Sequence, residues 1–150
     1  MKSRSLKKQK GLSAIEFAIT MPLIFILMGA VIELGLMLVK YQTLTKLVQN
    51  GARYAATEIY DAYGIPYSEA QEKIICVVVT GSTSNLSAGC GNTEDKPLAA
   101  LEESDVTVTE NGDYVNVTAV YHYSPFVDFA VIKNDFTFEL SASAIMRMTR

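Results

Sequence analysis

The chain has 150 residues, enough for one small domain and a membrane segment. Its net charge of −3 is laid out unevenly: five of the 13 basic residues, Lys2, Arg4, Lys7, Lys8 and Lys10, precede Gly11, leaving 8 against 16 acidic residues in the rest. An acidic body whose basic cluster sits at one end excludes a nucleic-acid partner, because no basic patch remains to follow a phosphate backbone.

Residues 1–11 read as a basic leader, residues 12–39 as a transmembrane segment and residues 40–150 as an extracytoplasmic domain. A basic run ahead of an apolar one follows the positive-inside pattern. It predicts a single-pass protein of the cytoplasmic (inner) membrane with a cytoplasmic N-terminus. The segment from residue 12 to about residue 63 has few breakers and predicts one long helix. Its uncharged core, residues 17–32, would span about 24 Å at 1.5 Å per residue, slightly short of the roughly 30 Å of hydrocarbon. Glu16 and Glu33 therefore fall near the two membrane edges. Pro22 and Gly29 interrupt the apolar run, as membrane helices tolerate, and Pro22 predicts a kink.

Glu16 is the residue that needs explaining. An ionised carboxylate near a bilayer centre costs on the order of 3 kcal/mol or more, so Glu16 either lies at the edge of the hydrocarbon or meets a positive charge. Glu33 has two readings, an acid reaching the outer membrane edge or a specific contact.

Beyond residue 39 the helix becomes amphipathic. Leu44, Leu47 and Val48 share a face with Gly51, Ala52, Ala55 and Ala56, small residues that let a sheet or helix approach closely. Gly64 and Pro66 end it. Ser68 with Gln71 three residues later is a capping-box signal for a short second helix, although Val77, Val78 and Val79 would also suit a strand. Residues 80–104 read as loop, with one helical turn near residues 98–103.

Cys76 and Cys90 both fall in the part expected outside the cytoplasm, where an even count favours a disulfide. The turn-rich segment between them can close, and a loop of about 15 residues would gain roughly 3 kcal/mol. The other reading is two unpaired small apolar side chains, since Cys76 stands in an apolar run.

The last third alternates. Residues 105–110 and 113–123 predict two strands, with Asn111 and Gly112 as a two-residue hairpin turn. Val115, Val117, Ala119, Tyr121 and Tyr123 share one face; Asn116, Thr118 and His122 share the other. After a turn at Ser124 and Pro125, residues 125–132 form an apolar bridge. A third strand follows, with Phe136, Phe138, Leu140, Ala142 and Ala144 facing one way. Three antiparallel strands with one apolar face need a cover, and the half-apolar helix of residues 40–63 is available. The fold class is α+β.

A set of residues now stands out: Lys10, Gly11, Leu12, Ser13, Ala14, Ile15, Glu16 and Phe17, then Pro22, then Ile32, Glu33, Leu34 and Gly35, then Gly51, Ala52, Arg53, Tyr54, Ala55 and Ala56. With the terminal strand of residues 141–147, they resemble the TadE-like minor pseudopilins of the tight-adherence (Flp, type IVb) pilus system. The resemblance covers about residues 7–57 closely and residues 58–135 weakly. It implies cleavage between Gly11 and Leu12 by a prepilin peptidase at the cytoplasmic membrane face. It further implies assembly with other pilin subunits and the pilus assembly platform, in a fibre used for adherence and biofilm formation. Leu12 departs from the small or phenylalanine residue more usual at the new N-terminus. Cleavage would create an α-amine four residues from Glu16, one helical turn away, and this ammonium or a neighbouring subunit's would answer the carboxylate. Glu16 and Phe17 are then assembly and register residues.

No other constellation points to chemistry. His122 is the chain's lone histidine and has no Asp, Cys or Glu at ligand spacing along the chain, so it reads as a solvated side chain rather than a metal ligand. Glu94, Asp95, Glu102, Glu103 and Asp105 lack the alternating Asp/Asn loop with a central glycine that calcium requires. Tyr54, Tyr60 and Tyr63 read as packing between helix and sheet. The expectation is no enzyme, cofactor, metal or small-molecule substrate. Two alternatives stand beside the pilin reading: an uncleaved single-span protein with a ligand-binding or regulatory outer domain, and an anchored hydrolase built around His122.

Overall fold

The computed structural model describes residues 9–59, 67–83, 86, 90, 96–125 and 137–148. A 46-residue helix, α1 (Gln9–Tyr54), is followed by a π-helical turn (Ala55–Ile59), helix α2 (Tyr67–Thr80) and a 3-10 turn (Glu103–Asp105). Three strands complete it: β1 (Val106–Asn111), β2 (Tyr114–Tyr123) and β3 (Phe138–Arg147), antiparallel in the order β1-β2-β3. The architecture is α+β, with a long apolar helix, a short second helix and a three-stranded antiparallel sheet. The expected helix end at Gly64 and Pro66, the residues Tyr60 and Tyr63, and the apolar bridge after Pro125 lie outside the described residues.

Helix α1 has two halves because its sequence has two patterns. From Ile15 to Ile32 large apolar side chains point in every direction and are exposed, as suits a helix surrounded by lipid. The helix is long and apolar enough to cross a membrane, and none of its most apolar window is buried within the chain. Farther along, Leu44, Leu47, Val48, Ala52, Ala55 and Ala56 are buried, a stripe at helical spacing that covers β2, β3 and α2. Thr20, two residues before Pro22, turns its hydroxyl back onto the carbonyls of Glu16 and Phe17 at 3.0 and 3.2 Å. Its polar group is thereby satisfied without leaving the helix.

Each strand of the sheet turns its alternate residues inward. Val106 and Val108 of β1, then Val115, Val117, Ala119, Tyr121 and Tyr123 of β2, then Leu140 and Ala142 of β3 form the inner face. Phe138 has the inward parity but sits at the strand end and is 47% exposed. Phe136 lies outside the described residues.

One open choice is settled and two local expectations give way. Residues 77–79 are the last full turn of α2 and not a strand, and all three valines are buried. Ser68 lies inside α2 instead of capping it, and Gln71 donates from Nε2 to the Val108 carbonyl at 3.2 Å, a bond between α2 and the edge strand β1. The hairpin loop is Gly112 and Asp113, one residue later than expected, with Asn111 paired to Tyr114. Gly112 has φ of 63° while among the described residues no non-glycine has a positive φ, which fits a turn with glycine at its first central position. Both hairpin registers keep the valines inward; a loop at Asn111 and Gly112 would set Glu110 directly against Asp113, and like charges so placed repel. The observed register gives Glu110 the partner Val115 instead.

Helix α2 closes at Gly81, whose N–H donates to the Val77 carbonyl at 2.8 Å with φ of 70°, the left-handed glycine cap of a helix end. Gly51 has a different reason. A Cβ there would collide with Cγ2 of the buried Val78, so α1 and α2 touch backbone to side chain at this crossing.

Candidate functional site

The residues expected to govern processing and assembly all lie on the bare half of α1. Gly11 is within the helix, and a Cβ added there would meet nothing within 4 Å. Glycine inside a helix costs about 1 kcal/mol relative to alanine, and packing among the described residues does not require it at this position. The side chain of Leu12 lies outside the described residues. Glu16 is exposed, and among the described residues its carboxylate has no hydrogen bond or ion pair; Phe17, beside it, is also exposed.

Glu33 does have a partner. The Tyr123 hydroxyl, at the end of β2, donates to Oε1 of Glu33, joining residues 90 positions apart. Burial first, and then this donation to a carboxylate, push the Tyr123 phenol up to about 12. Glu33, Met37 and Lys40 are all half-covered and continue the stripe that leads to Leu44. The C-terminal domain thus begins to cover the helix at Glu33, seven residues before the expected boundary at residue 40. No spacing signal along the chain announces the pair; it follows from the sheet's length and its packing on α1.

Cys76 and Cys90 are joined as a disulfide with Cα atoms 4.7 Å apart. Cys76 is buried on α2, so the bond ties Cys90 of the segment that follows to that helix. Nearby, an open groove of about 380 Å³ runs between the last turns of the two helices, lined by Asn50, Arg53, Tyr54, Thr57 and residues 81–83 among others.

His122 faces outward, its Nδ1 4.0 Å from Oε1 of Glu139 on the neighbouring strand. Spacing along the chain could not show this acid, because strand register brings it there. Both side chains are more than half exposed, so the pair contributes little. Asp105 accepts a hydrogen bond from the Glu102 backbone N–H at 3.0 Å; it caps the short turn. Glu94 and Asp95 lie outside the described residues. Among the described residues no three His, Cys, Asp or Glu side chains stand together as a metal site.

The chain thus pairs a helix that is bare and apolar at one end with an antiparallel sheet packed on its other end. The model of the TadE-like protein family matches residues 11–53, nearly the whole of α1 and the segment on which the sequence resemblance rests. Similarity to that family is thus confined to the long helix. No curated protein and no solved structure matches the chain.

Proposed function

We propose that the chain is a minor pilin-like subunit that supports assembly of a tight-adherence (Flp) pilus. In this reading it spans the cytoplasmic membrane with its N-terminus inside and is a substrate of a prepilin peptidase. The observation that carries this is the TadE-like match starting at Gly11 on a helix whose first half has no cover within the chain. A helix-interior glycine that packing does not require fits a demand from outside, a peptidase cleft that admits no side chain. Glu16, with no partner among the described residues, fits the same account. Cleavage after Gly11 would free the Leu12 amine one turn away, and an ammonium facing a carboxylate in a low dielectric holds register far more strongly than in water. The disulfide fits export to an oxidising compartment.

The test is a Glu16→Ala strain in which processing, membrane level and pilus-dependent adherence are measured together. The subunit should be cleaved and inserted at least as well as wild type, since a charge has left the membrane, while adherence falls. Glu16→Gln should fail in the same way, because it keeps shape and loses charge. Normal adherence with normal processing would make Glu16 a passenger and end the register argument.

A further inference from the structure

Helix α1 is covered and bare at the same height along its axis. On one face Glu33 receives the Tyr123 hydroxyl. On the others Leu34, Leu36, Leu38 and Val39 are 43–61% exposed. These four residues extend up to six positions past Glu33, about 9 Å along the axis, and the next charge is Lys40. A membrane boundary drawn at Glu33 would leave all four aliphatics in water and give the helix only the roughly 24 Å of residues 17–32. Carrying the lipid-facing surface to Val39 lengthens it to about 35 Å, enough to span roughly 30 Å of hydrocarbon with some tilt. It also puts the exposed Tyr41 at the level where aromatic rings gather at membrane interfaces.

That boundary cannot take in Leu34 to Val39 without also taking in the end of the sheet fixed beside Glu33. The sheet end is suited to it. Tyr123 and Phe138 are register partners at the tip; the Tyr123 hydroxyl is engaged by Glu33, and Phe138 is a half-exposed ring with no polar group. We propose that the Tyr123 and Phe138 end of the sheet dips below the lipid headgroups into the outermost acyl layer on its side of the membrane, so that the chain holds the bilayer by its sheet as well as its helix. The proposal rests on α1 crossing a membrane. Within that layer the hydroxyl of Tyr123 supplies Glu33 with a donor in place of water, which lets an acid sit inside the hydrocarbon boundary.

The sequence contains no tryptophan, so a single introduced tryptophan is a unique depth probe. The full chain would be reconstituted into phosphatidylethanolamine and phosphatidylglycerol vesicles carrying bromine at a shallow or a deep acyl position, at two protein-to-lipid ratios. Phe138→Trp should emit at shorter wavelength than Tyr114→Trp, an exposed site at the opposite end of β2, and shallow bromine should quench it at both ratios. Tyr114→Trp should remain water-like and unquenched. Water-like, unquenched emission from Phe138→Trp would overturn the proposal. So would a blue shift that grows with protein density and escapes lipid quenching, because a second copy would then cover the tip. Leu27→Trp tests the span separately: quenching by deep bromine alongside an unquenched Phe138→Trp refutes the sheet contact alone, whereas no quenching of Leu27→Trp removes the span and the proposal with it.

Discussion

Gly51 is a point of close packing between α1 and α2, and replacing it with alanine measures that packing. Alanine in place of glycine favours a helix by about 1 kcal/mol. Against this, the new Cβ overlaps Cγ2 of Val78, a fully buried side chain whose own Cβ would be 3.7 Å away. A valine in a helix has essentially one χ1 rotamer, so the overlap is relieved by moving a helix and not by turning a methyl. Overpacking of this kind costs about 1–3 kcal/mol, and Gly51→Ala should therefore be destabilising by up to ~2 kcal/mol despite its better helix propensity. Val78→Ala alone should cost about 2 kcal/mol through the space it leaves. Together the two changes fit, and the double variant should be more stable than the sum of the singles by about 1–3 kcal/mol. Chemical denaturation of the full chain in detergent micelles, followed by the near-ultraviolet signal of its tyrosines, gives the four values of the cycle. Additivity within about 0.5 kcal/mol would refute the contact between the two helices at this position.

Tyr123→Phe removes the donor from a carboxylate and should cost about 1.5–3 kcal/mol, read in the same unfolding assay. Because the folded-state phenol is raised to about 12 from an ordinary 10.0, its contribution is complete below pH 10 and is lost as pH rises through about 12; the decline should be missing in Tyr123→Phe. Replacing both Cys76 and Cys90 with serine should cost about 3 kcal/mol, the value for a closed loop of this size, without changing the circular dichroism of the folded state. Two alkylatable thiols in the native exported chain would show that the bond between them does not form in the cell.

Much of this arrangement was legible because it rests on periodicity. All-round apolar residues before Glu33 and a one-sided stripe after Leu44 mark the helix's two environments, and alternation from Val115 to Tyr123 sets the sheet's inner face. What escaped depends on partners distant in sequence. Gln71 has the spacing of a capping residue, but the edge carbonyl of Val108 takes its amide. The hairpin register turns on whether Glu110 faces Asp113, a comparison of two allowed pairings and not a local signal. Glu33 carried two readings, an acid at a membrane edge or a specific contact; its tie to Tyr123 required the whole sheet to be in place. The expected boundary at residue 40 follows the hydropathy of the bare face, whereas the sheet begins to cover the opposite face at Glu33.

The central claim is that the chain becomes a pilin-like subunit only after its basic leader is removed. N-terminal sequencing of the membrane-extracted protein, from cells with an active prepilin peptidase, tests it most directly. The account predicts a mature chain beginning at Leu12, and a Gly11→Val chain that retains its first eleven residues because a branched side chain crowds the peptidase cleft. A wild-type chain that still begins at Met1 in those cells would contradict it.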